Sequence, residues 1–123
     1  MAYSPRMAEA FVTVAETPLF VRQAAKIWND AEREDFISFI AANPTVGDLI
    51  PETGGVRKVR WSRRGSGKRS GTRVIYFYYD MTRPLYLLLV YAKADKGDLD
   101  PDEKREVRRL AEVLKADRKR GRN

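Results

Sequence analysis

Lys58 and Arg60 stand two positions apart in the stretch "VRKVRWSRRGSGKRSGTRV", residues 56–74, which holds eight cations, six glycines and serines, and no acid. Side chains alternate across a strand, so Lys58 and Arg60 share one face while Arg57, Val59 and Trp61 share the other. Two cations so spaced lie within about 7 Å of each other and can grip one phosphate or two neighbouring ones. Arg73 returns near them on the following strand, and Lys93 ends the strand after that. If the three strands pair as neighbours, Lys58, Arg60, Arg73 and Lys93 converge on one concave patch. Such a patch suits cleavage of RNA by attack of a ribose 2′-hydroxyl on its own phosphate, a reaction that needs no water and no metal. The protein has only to orient the chain, stabilise the extra charge on the phosphorane and handle two protons. A lysine crowded by cations loses its proton more readily and can then act as a base near neutral pH. The plainer reading is a solvated hairpin whose charges prevent edge-to-edge aggregation.

The segment between the two strands, "RRGSGKRSG", reads as a long turn, and its Arg63, Arg64, Lys68 and Arg69 are expected to hold nucleic-acid backbone together with Arg57. It is not a nucleotide-binding P-loop, because no helix follows and the Gly-Lys pair lacks the required spacing. Trp61, Tyr76, Tyr78 and Tyr91 could stack on bases, although an aromatic on a strand more often belongs to the core. A net charge of +7 over 123 residues points to a polyanionic partner. The chain contains neither cysteine nor histidine, which excludes disulfides, histidine-based triads and the ordinary zinc sites. No metal or cofactor is therefore expected. The first residues contain no long apolar core, and the longest apolar run, "PLYLLLVYA", is too short to span a bilayer. A cytoplasmic protein with no membrane segment is the expectation.

These residues must be positioned by the elements around them. "AFVTVAE" reads as a strand, and Thr17 before Pro18 as the start of a helix over "PLFVRQAAKIW" with Leu19, Phe20, Ala24, Ile27 and Trp28 inward. Asn29 with Glu32 forms a capping-box pattern opening a second helix, on which Phe36, Ile37 and Ile40 form the apolar stripe before Pro44. "TVGDLIPETGG" reads as a loop, "VRKVRWS" and "TRVIYFYYD" as a hairpin, and "LYLLLVYAK" as a central strand covered on both faces. Asp100 and Pro101 open a last helix whose inward stripe is Val107, Leu110, Ala111 and Leu114. The order implies one α+β domain over residues 1–123, a small, curved, mainly antiparallel sheet with helices against it, and frayed ends at 1–10 and 117–123.

From about Asn29 onward the chain resembles HigB-type toxins of the RelE superfamily, bacterial toxin halves of toxin–antitoxin pairs. The resemblance rests on "NPTVGDLI", "GGVRKVR", "GSGKRSGTRVIY" and "YAKADKGDL" in that order. It implies a microbial-ribonuclease-like α+β domain that cuts messenger RNA on the ribosome without a metal, and so inhibits translation. Carried over residue by residue, it puts Lys58 and Arg60 in proton transfer and charge stabilisation, Arg73 against the scissile phosphate, and Lys93 at the end of the last strand; Lys58 is then the expected base, with Lys68, or positioning and charge stabilisation alone, as the alternatives. Tyr91 is the nearest aromatic to the place where RelE-like members carry a tyrosine after that strand; here the segment is "ADKGDLDPD". The resemblance also implies a cognate antitoxin, a small helix-turn-helix protein of the HigA type. Two other functions fit the same fold: binding a protein target such as DNA gyrase without nuclease activity, and non-catalytic RNA binding.

Overall fold

The computed structural model describes residues 11–62 and 71–121, the last five as backbone. Arg63, Arg64, Lys68, Arg69 and the rest of the segment expected as a long turn lie outside the described residues, as do the first ten positions. Five strands and three helices follow in the order β1 (Val14–Glu16), α1 (Pro18–Ile27), α2 (Asp30–Ala42), β2 (Asp48–Leu49), β3 (Val56–Trp61), β4 (Thr72–Phe77), β5 (Leu85–Ala92) and α3 (Pro101–Gly121). The sheet order is β1-β5-β4-β3-β2, with β1 parallel to β5 and every other pairing antiparallel. The segment expected as a plain loop therefore contains a short edge strand, β2, whose Asp48 and Leu49 pair with Lys58 and Arg57.

The helix starts follow from local chemistry. Thr17 accepts a hydrogen bond from the Phe20 amide with Pro18 just inside the helix, and the Asn29–Glu32 capping box closes at 2.8 Å in both directions. Asp100 and Glu103 make the same reciprocal pair at the start of α3, at 2.8 and 3.0 Å. Each satisfies amides that an isolated helix end leaves without partners. Leu19 departs from expectation. Phe20 and Ala24, four apart, define the buried face of α1, and Leu19 lies about 100° round the helix from Phe20 and is exposed.

Strand alternation divides the core into two layers. Val59, Val74, Tyr76, Leu85, Leu87 and Val90 face α1 and α2, while Val56, Ile75, Phe77, Leu88, Leu89 and Tyr91 face α3. Two neighbours in sequence, Leu88 and Leu89, point the same way because the β4–β5 register shifts between Ile75 and Tyr76. β4 and β5 are both paired on two sides and covered on two faces, which is why their apolar runs are nearly continuous. Trp61 packs at 4.8 Å from the Phe39 ring and 5.4 Å from Phe36, so it belongs to the core.

β1 covers only the first residues of β5, and polar side chains of the α1 segment take over beyond it. Thr17 donates from both its amide and its hydroxyl to the Leu87 carbonyl, and Gln23 Oε1 accepts from the Val90 amide at 3.0 Å. Between β2 and β3 the chain reverses through Glu52, Gly54 and Gly55, all at positive φ. Thr53, fully buried inside this turn, donates to Ile50 O at 2.7 Å and accepts from Val56 N at 3.1 Å.

Candidate active site

The alternation of β3 puts Lys58 and Arg60 on the same face as Val56, the α3 side of the sheet. Across the β3–β4 and β4–β5 ladders Arg60 pairs with Arg73 and Arg73 with Tyr91, so these three side chains form one row. Lys58 lies one row along, opposite Ile75 on one side and Asp48 on the other. Lys58, Arg60 and Arg73, with Val46, Asp48 and Val59, line an open-sided cavity of about 470 Å³. Three of the four residues expected to converge are thus together. Lys93 is exposed just past β5 on the row beyond Arg73, its amide donating to Gly71 O at 2.9 Å, and it does not line the cavity.

One wall of the cavity is held rigidly. The Tyr76 hydroxyl, inside the opposite layer, donates to Pro44 O and accepts from Gly47 N, both at 2.9 Å. Burial raises the pKa of this phenol above its ordinary value, outweighing the lowering by the Gly47 amide and Arg57. Gly47 fits because it has no side chain: a Cβ there would lie 2.9 Å from the Tyr76 ring and hydroxyl and 3.0 Å from Lys58 O. Arg57 braces the same loop, its Nη1 donating to Thr45 O at 3.1 Å and to Gly47 O at 2.7 Å. Arg57 therefore works on the opposite side of the sheet from Lys58 and Arg60, as a strut beneath Val46 and Asp48, and does not face the cavity.

The electrostatics differ from those implied by the acid-free stretch. Lys58 Nζ donates to Asp98 Oδ1 at 3.1 Å, so its nearest charge is a carboxylate rather than a crowd of cations. That hydrogen bond, ahead of smaller contributions, holds the Asp98 carboxyl below its ordinary range. Arg73 is nearly buried, and neither it nor Arg60 forms an ion pair among the described residues. Tyr91 is buried beside them with its hydroxyl lacking a hydrogen-bond partner. Burial first, then the Asp98 charge, raises its pKa. Lys96 sits 5.3 Å above the Tyr91 ring and pairs with Glu103, covering that end of the row.

Two acidic neighbours were thus not assigned to the site from sequence. Asp48 lies in "GDLI", where a two-residue strand leaves no alternation to read, and Asp98 reaches Lys58 across forty positions. Chemically, a cavity with three cations at its floor and a carboxylate on its wall can hold a phosphodiester, stabilise added negative charge and exchange protons.

The fold and the family are known from other proteins. The doubly substituted mutant of E. coli toxin RelE in the free state superposes with a TM-score of 0.52 over 70% of this chain and 87% of that one, at 11% identity, a likeness of fold. Residues 45–121 match the family described as the RelE toxin of the RelE / RelB toxin-antitoxin system. That span holds β2 to β5, α3 and the whole cavity, and by it the chain belongs to the RelE toxin family, the toxin side of a toxin–antitoxin pair.

Proposed function

We propose that the protein is a HigB-type, ribosome-dependent messenger-RNA endonuclease that cleaves by 2′-hydroxyl attack and so arrests translation in the cytoplasm. The observation that carries this reading is the convergence of Lys58, Arg60 and Arg73 on one open cavity. Arg73, nearly buried on an interior strand and with no carboxylate partner among the described residues, meets the scissile phosphate in this reading. Arg60, exposed beside it, shares the charge of the phosphorane, and the two guanidiniums offer planar pairs of donors to phosphate oxygens. Lys58 handles a proton at the 2′ or 5′ oxygen, with Asp48, directly across from it in register, as the second group able to do so. Lys93, one row further along, supports the strand of RNA beyond the reacting phosphate, and Tyr91, buried at the end of the row, supports Arg73 from beside it.

The partner in this reading is a cognate antitoxin of the helix-turn-helix HigA type; membership of the RelE family supports an antitoxin partner. No helix among the described residues is long and apolar enough to cross a membrane.

The test is to incubate translating ribosomes with the purified protein and map new 5′ ends on the message. The wild type is expected to produce them, and Arg60→Ala, at an exposed position, to slow cleavage about a hundredfold with an unchanged circular dichroism spectrum. Lys58→Ala with Arg73→Ala is expected to abolish cleavage and growth arrest. Undiminished toxicity in these variants, or gyrase inhibition without transcript cleavage, would overturn the reading.

A further inference from the structure

The turn after β5 brings an anion into the cavity's electrostatic field. Asp98 Oδ1 accepts from Lys58 Nζ and from the Leu99 amide, both at 3.1 Å. The pair is a surface one, the Asp98 side chain being 74% exposed and that of Lys58 31%. The turn has a separate anchor in the Lys96–Glu103 ion pair and in the capping box at Asp100. The Asp98 side chain can therefore swing away by a change of rotamer without releasing the turn.

We infer that Asp98 is a stand-in for phosphate, a positioning residue that holds Lys58 over the cavity and yields its place when a nucleic-acid phosphate enters. The inference rests on the reading of the cavity as a phosphodiester site. An exposed lysine–aspartate pair contributes little stability, so an entering anion loses little by breaking it. A phosphate gains more than the carboxylate did, because it meets Arg60 and Arg73 on the adjacent row as well as Lys58. The two anions cannot share Lys58 at close range without repulsion, so occupancy is an exchange. No covalent bond is made or broken and no proton moves in this step. Its consequence is selectivity. A singly held anion gains little over Asp98, while a phosphodiester engaging all three cations gains more.

The test is the affinity of a 2′-O-methylated trinucleotide, which cannot be cleaved, measured by fluorescence anisotropy at low salt. Asp98→Asn preserves shape and removes the competing charge, and is expected to tighten binding about two- to fivefold. Asp95→Asn removes the same charge from the same turn, where the side chain forms no ion pair among the described residues, and is expected to leave affinity within error. In a Lys58→Met background, Asp98→Asn is expected to add nothing. No gain in Asp98→Asn, or an equal gain in Asp95→Asn, overturns the exchange while leaving the cavity reading intact. Failure of the wild type to bind the trinucleotide, or binding that Arg60→Ala does not weaken, overturns both.

Discussion

Replacing Tyr76 with phenylalanine would leave the Gly47 amide and the Pro44 carbonyl without their hydroxyl partner, inside the layer that backs the cavity. Unpaired buried backbone groups are costly, so Tyr76→Phe is expected to lower stability by about 1–3 kcal/mol in urea denaturation, with loosening first seen as faster amide exchange at Gly47. The residue scale also sets a pH dependence. Lys58 holds the Asp98 carboxyl below its ordinary range, so the contact is intact at neutral pH and persists into that range. It is lost only as pH falls through the depressed folded value, and the small stability it contributes is lost with it. Carboxyl-detected NMR is expected to report an Asp98 midpoint below the usual aspartate value, and Lys58→Met to bring it back up. A midpoint that Lys58→Met leaves unmoved would assign the shift to another group. Asp98 shows the limit of reading local charge: the 56–74 stretch has no acid of its own, yet its key lysine has an acidic partner.

At the scale of elements, the open question in any small sheet is where an edge strand's backbone groups find partners. β5 is only partly covered by β1, whose three residues pair with Leu85 to Leu87, and the Val90 amide is met by a helix side chain instead of a strand. Gln23→Ala would remove that acceptor. It is expected to destabilise the protein by about 1–3 kcal/mol, measured by chemical denaturation, with Gln23→Glu recovering much of the loss because a carboxylate also accepts. Nothing in "PLFVRQAAKIW" distinguishes Gln23 from an ordinary solvent-facing helix residue. The capping boxes are the opposite case: Asn29 with Glu32 could be read directly, since a helix start is decided by residues three apart.

At the scale of the whole molecule, a net charge of +7 and a cavity with three cations would make the proposed association with RNA depend on salt. For single strands the slope of log affinity against log salt is roughly −0.7 for each phosphate neutralised, so Arg60→Ala is expected to flatten it by about 0.7. Anisotropy titrations with the methylated trinucleotide over a range of salt would measure this; an unchanged slope would place Arg60 outside the phosphate contacts. How far the fold and site were legible follows from the range of the interactions involved. The sequence by itself determined the helix starts at Thr17, Asn29 and Asp100, the β3–β4 hairpin, the buried character of β4 and β5, and the shared face of Lys58 and Arg60. All of these depend on neighbours a few residues apart or on the period of a strand. Only the tertiary structure decided that β1 lies parallel beside β5, that Asp48 forms an edge strand against Lys58, that Arg57 braces a loop on the far side, and that Asp98 closes on Lys58. Those contacts join distant parts of the chain, and which partner a polar group meets is set by the packing of whole layers and by a register that local pattern does not encode.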